Sequence, residues 1–144
     1  MSCLSEWTTF LDMRRNAYLI YLICQGLVIV LVTASFKTIA DRQVAETVAG
    51  TLFVVVPAVL MLLEYRRARF QEAIWYVSVL QFWLLFALPI LGLRLLNWGI
   101  PFDQLSFLGI PGPTMHQWSS KSYMIMTAFT AWTLWKLKYF KKSV

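Results

Sequence analysis

Charge is scarce in this chain, at 14% of 144 residues, whereas 59% of them are hydrophobic. Soluble domains are nearer about one quarter charged, so a water-solvated surface over most of the chain is excluded. Histidine occurs once, at His116, which rules out a metal centre built on several histidines, or a haem held by two, within one chain. The two cysteines, Cys3 and Cys24, fall before and inside the first apolar run with no CxxC spacing, so neither a disulfide nor a redox or metal motif is expected. No Asp or Glu stands deep in an apolar run, which argues against a proton relay built on buried carboxylates. Long-period repeats of the kind that build inverted-repeat transporters are missing too; "GIP" recurs after only ten residues and marks two turns.

What is present is long apolar runs. They read as an all-α integral membrane protein, one domain over 1–144, with transmembrane helices at 17–36, 45–64, 73–98 and 122–140. Residues 3–15 place Leu4, Trp7, Phe10 and Leu11 at spacings of three and four, the pattern of an amphipathic helix lying in the membrane interface. Residues 99–121 form a structured outer loop.

The formal charge of +6 is carried mostly at the ends of the apolar runs. Arg14, Arg15, Arg66, Arg67, Arg69, Lys136, Lys138, Lys141 and Lys142 gather on one side, against Lys37, Arg42, Arg94 and Lys121 on the other. The positive-inside rule then places both termini in the cytoplasm of a multi-pass protein. Lipid head groups, held by Arg66, Arg67, Arg69, Lys141 and Lys142, explain this charge better than nucleic acid, which is not expected as a partner. A bacterial inner membrane is the first expectation. The closing "KKSV" sets Lys141 and Lys142 as in a dilysine retrieval signal and keeps the endoplasmic reticulum open as the second.

The connection "GIPFDQLSFLGIPGPTMHQW" gathers three of the six glycines and three of the five prolines of the chain. Pro101 suits the first position of a helix, Asp103 its first turn, and Gly109 with Pro111 its end, which predicts a short helix over 102–108. Phe102, Trp98 and Trp118 suit an interfacial aromatic belt, with the loop as a passive cap or as a lid over an outward-facing site. His116, with Asp103 and Arg94, is a weak catalytic candidate, and Ser119 and Ser120 stand close to it in sequence. Spacing alone demonstrates neither a base within reach of a nucleophile nor an oxyanion site. Arg94 is expected to snorkel to the interface or to pair with Asp103 or Glu46.

Inside the membrane, Gln25 and Gln81 each lie about eight residues into parallel spans, hence about 12 Å deep at about 1.5 Å per residue. Thr130 falls at a comparable depth, and Pro57 frees a carbonyl near Phe53. Such a layer reads as interhelical glue or as a pathway for a polar solute. Ser120, Thr127 and Ala131 predict a close-packing strip on span four. Trp75, Tyr76, Phe82, Trp83 and Phe86 predict a lipid- or subunit-facing surface on span three.

The first functional expectation is a small non-enzymatic membrane subunit that packs against lipid and against itself or another integral membrane protein. An oligomeric channel or carrier using Gln25, Gln81, Thr130 and Pro57 is the second. An enzyme acting on a lipid or quinone at the outer interface is the third. No cofactor is required, although haem and quinone stay open.

Overall fold

The computed structural model describes residues 2–68 and 72–140, with side chains over 13–66 and 72–138. Its elements are α1 (Ser2–Thr38), α2 (Arg42–Ala68), a third rod made of α3 (Ala73–Phe82), a π-helical turn (Trp83–Ala87) and α4 (Leu88–Leu96), and, after a folded loop, α5 (Gly112–Phe140). Three stretches, Met13–Thr38, Arg42–Arg66 and Ala73–Leu96, are long and apolar enough to cross a membrane. α5 is equally long but more polar. Its polar side chains explain this, because Ser122, Thr130 and Thr133 are buried against the other helices.

The rods run alternately up and down. Tyr18 of α1 meets Glu64 of α2, Trp75 of α3 meets Thr130 of α5, and Lys136 of α5 meets Glu72 ahead of α3. At the opposite end, Arg94 of α4 meets Glu46 of α2. Packing joins α1 to α2 and α5, α5 to α3, and α2 to the π turn and α4, so the rods form a ring. One end carries the chain termini and the other the 97–111 loop.

Two aromatic clusters fill the ring. Nearer the termini, Tyr21 stacks on Trp75 at 5.3 Å while Tyr18 meets both edge-on. Nearer the loop, Phe53, Phe82 and Tyr123 meet edge-to-face at 5.1 to 6.0 Å. Edge-to-face pairs add about 1 kcal/mol each beyond the area they bury, so these clusters tie different helices together. Trp75 and Phe82 are buried and Tyr76, Trp83 and Phe86 half-buried, which corrects the lipid-facing surface expected for the third rod. The exposed face is instead aliphatic, with Ile74, Val77, Leu84 and Leu85. On α5 the inward face is likewise rotated from the expected strip: Tyr123, Met126 and Thr130 point in, whereas Ser120 and Ala131 are exposed.

The π turn precedes Pro89, which has no N–H to donate and whose ring would clash with the carbonyl four residues earlier. The backbone widens there, with the Leu88 N–H bonding Trp83 O five residues back. Trp83 Nε1–H donates to Val54 O at 2.9 Å, next to the carbonyl that Pro57 leaves without its helical donor.

The sequence predicted a separate interfacial helix over 3–15, yet α1 continues unbroken from Ser2 to Thr38. The side chains of Leu4, Trp7, Phe10 and Leu11 lie outside the described ones. The expected 102–108 helix is also replaced. Phe102–Gln104 form a single 3-10 turn, and Ser106–Phe107 pair antiparallel with Ile110–Pro111. The two-residue connection has both φ angles positive, 51° at Leu108 and 80° at Gly109, as a type I′ turn requires. Leu108 occupies a left-handed conformation while 86% exposed, so Leu108→Asn is expected to raise stability by about 1 kcal/mol. An unchanged midpoint of thermal unfolding in detergent would count against this assignment of the turn.

Helix α5 starts at Gly112, ahead of the expected 122, and the third rod ends at Leu96 rather than at 98. A β-carbon at Gly112 would overlap the Phe102 carbonyl oxygen, and the Gly112 N–H bonds Leu105 O at 2.8 Å. Leu105 and Met115 are buried beneath this junction. The loop is therefore clamped to the first turn of α5, which sets where Phe102 and Asp103 stand.

Candidate functional site

At the loop end the ring opens into a cavity of about 670 Å³, lined by Phe36, Arg42, Gln43, Glu46, Arg94, Gly99, Pro101, Phe102, Asp103, Pro113 and His116. Each wall comes from a different element. The end of α1 supplies Phe36, the first turns of α2 supply Arg42 and Glu46, and α4 supplies Arg94. The clamped loop brings Phe102 and Asp103, and α5 brings His116.

The helix side of this cavity carries an ion-pair cluster. Glu46 accepts from Arg94 and, at 3.1 Å, from Arg42 Nε one turn earlier on its own helix. The Arg94 and Glu46 side chains are only 14% and 10% exposed, whereas Arg42 is 89% exposed. Above the Arg94 guanidinium lies the Phe102 ring, 3.9 Å from its centre, a cation–π contact of about 1 kcal/mol at a site with this little water. Of the expected outcomes for Arg94, the structure shows pairing with Glu46; the stacking on Phe102 was not expected from the sequence.

A smaller cavity of about 80 Å³ continues beneath, between all four rods, and shares Phe36, Glu46, Arg94 and His116 with the upper one. Its remaining lining is mostly apolar, including Val32, Ala49, Phe53, Ala87 and Ile90, with Tyr123 at its base. Below stand the Phe53–Phe82–Tyr123 cluster and, further along, the Tyr18–Tyr21–Trp75 cluster. The two chambers thus form a cup with an aromatic floor.

The predicted catalytic candidates, His116, Asp103 and Arg94, all line this cup. A nucleophile–base pair is not assembled around them: the Ser120 hydroxyl donates to the His116 carbonyl at 3.0 Å, not to its imidazole. Trp98 and Trp118 are exposed at the same end, with Leu96, Ile100 and Leu108, so the rim is apolar. Gly109 and Pro111 build the hairpin and Pro101 precedes the 3-10 turn.

The expected polar layer is not brought together. Gln25 is buried and its side-chain amide has no hydrogen-bond partner, while its carbonyl accepts from the Tyr123 hydroxyl at 2.7 Å. Gln81 is exposed on the outside of the ring. Thr130 lies about 10 Å further along α5 than Tyr123, accepts from Trp75 Nε1–H at 2.8 Å and donates to Met126 O. Pro57 is buried in the core. Gln25 and the neighbour of Gln81, Phe82, both meet Tyr123, but Gln81 faces outward and Thr130 stands at the level of Trp75, so the three side chains form no shared layer.

At the terminal end, Glu64 is buried and accepts hydrogen bonds from Tyr18 at 2.6 Å and Tyr21 at 3.2 Å. Glu72 bridges Arg14 at 3.1 Å and Lys136 at 3.5 Å. Neither acid was singled out as a site from the sequence; each follows an apolar run or opens one, and only the tyrosines at i and i+3 on α1 hinted at a partner. Arg66 is exposed, and the side chains of Arg67, Arg69, Lys141 and Lys142 lie outside the described ones. Among the described residues no three His, Cys, Asp or Glu side chains gather as metal ligands would.

No family model matches the chain, and neither the curated proteins nor the solved structures contain a match to it.

Proposed function

We propose that this chain is a four-span membrane protein, both termini cytoplasmic, acting as a small non-enzymatic subunit that holds a small ligand in the loop-end cup. The observation that carries the ligand reading is a charged cavity walled by all four rods and the loop, continued by a mostly apolar chamber that Phe53 and Tyr123 help to line. Ligand cavities of about 300–1,000 Å³ combine an apolar lining with a few placed polar groups, as this one does. A base formed by Phe53, Phe82 and Tyr123 favours holding over conduction, so the cup is read ahead of the channel or carrier.

α5 counts as the fourth span because it closes the ring and turns its polar residues inward, away from lipid. The orientation rests on the arginines and lysines at the terminal end. The stacked Trp132–Trp135 pair, exposed at that end, suits the inner interface. A bacterial inner membrane is the host this reading favours.

Native mass spectrometry of protein extracted gently from its own membrane tests the proposal. Wild type is expected to retain a small-molecule adduct, alone or within a defined assembly, and His116→Trp, which fills the cup from an exposed position, is expected to lose it. A bare wild-type chain, or an adduct indifferent to His116→Trp, overturns the ligand reading. A clean monomer in native lipid overturns the subunit reading.

A further inference from the structure

The two chambers of the cup differ in chemistry, and the charges of the upper one come from two elements. On the helix wall, Arg94, Glu46 and Arg42 form one cluster with a formal charge of one positive unit. On the loop wall, Asp103 carries one negative unit and is exposed to the cavity. The lower chamber is lined by Val32, Ala49, Phe53, Ala87 and Ile90.

Each ligand class meets this lining differently. A wholly polar ligand leaves the lower chamber without a matching surface, and a wholly apolar one takes water from Arg42 and Asp103 without replacing it. A ligand with net charge of either sign satisfies one wall and faces its own sign on the other. A zwitterion meets both.

We propose that the cup binds a zwitterionic amphiphile: its anionic group lies against Arg42, its ammonium against Asp103, and the start of its apolar chain enters the lower chamber. This rests on the ligand-holding role proposed above. The clamp between Gly112 and Phe102 holds the loop that carries Asp103 against α5, and the exposed Trp98 and Trp118 provide the approach from a lipid surface.

The test uses the full chain in maltoside micelles, titrated with four probes and read by native mass spectrometry. These are lysophosphatidylethanolamine, its head alone as glycerophosphoethanolamine, lysophosphatidylglycerol, and an uncharged monoacylglycerol, the lipids sharing one chain length. The zwitterionic lipid is expected to bind at least about tenfold more tightly than the other three. Asp103→Asn is expected to remove about tenfold for that lipid and to leave lysophosphatidylglycerol unweakened. Ser119→Leu, filling the lower chamber, is expected to bring the lipid down to the affinity of its head alone.

Equal binding of glycerophosphoethanolamine and its lipid overturns the chain's place in the lower chamber. Equal binding of the two charged lipids, indifferent to Asp103→Asn, overturns the zwitterion. Both of those results leave the cup as a ligand site. Failure of all four probes to respond to His116→Trp overturns the cup itself.

Discussion

Glu46→Ala is expected to destabilise the protein by about 3 kcal/mol, because it leaves the Arg94 guanidinium, 14% exposed, beside Arg42 with no carboxylate between them. Breaking one side of a buried pair typically costs about 3–5 kcal/mol; the residual exposure of Arg94 puts this case at the lower end. Two controls separate the causes. Arg42→Ala removes only an exposed pair one turn apart on the same helix, worth about 0.5 kcal/mol or less. Replacing Glu46 and Arg94 together by leucine removes the unpaired charge and is expected to recover most of the loss. The measurement is the unfolding free energy in mixed micelles of rising dodecyl sulfate content, followed by tryptophan fluorescence. Equal losses for Glu46→Ala and Arg42→Ala would show that the inner pair holds nothing together. Arg94→Lys is a gentler variant: it keeps the charge but gives up the flat stacking on Phe102, at a cost of about 1 kcal/mol.

Glu64→Leu is expected to cost about 3 kcal/mol at the other end of the ring. Tyr18 and Tyr21, both 1% exposed, donate hydroxyl hydrogen bonds to this carboxylate, and a buried donor that loses its acceptor costs about 1–3 kcal/mol. Glu64→Gln keeps an acceptor for the shorter bond and is expected to cost about 1 kcal/mol. Combining Tyr18→Phe with Glu64→Leu removes donor and acceptor together, and the pair should lose less than the two single changes summed. Tyr21 stacks on Trp75, so loosening this corner should also shift the emission of Trp75. A Glu64→Leu protein as stable as wild type would mean that the desolvation cost of the carboxylate cancels its hydrogen bonds.

Some local structure was legible and some was not, for reasons visible in particular residues. Pro89 has no N–H to donate and so requires a disturbance in the third rod, but the π turn that absorbs it depends on where the Leu88 N–H finds an acceptor. Gly109 announced a left-handed residue; a helix end and a type I′ turn both require one. The choice of the hairpin rests on the contact between Gly112 and Phe102, which no local pattern carries. Gln25 and Gln81 share a depth count, yet one is buried and the other exposed, since depth along an axis says nothing of rotation about it.

The amino-acid order was sufficient for the helical class, for three runs able to cross a membrane, and for the place where a structured connection interrupts them. These are one-dimensional properties: partition into lipid depends on the summed hydropathy of a stretch, and turns depend on residues adjacent in the chain. Packing alone settled which face of each rod points inward, the Arg94–Glu46 and Tyr18–Glu64 contacts, and the aromatic base of the cup. The cause is the solvent. A helix in water betrays its inner face by contrast with a polar outer one, but here Ile74 and Val77 outside are as apolar as Val79 and Phe82 inside.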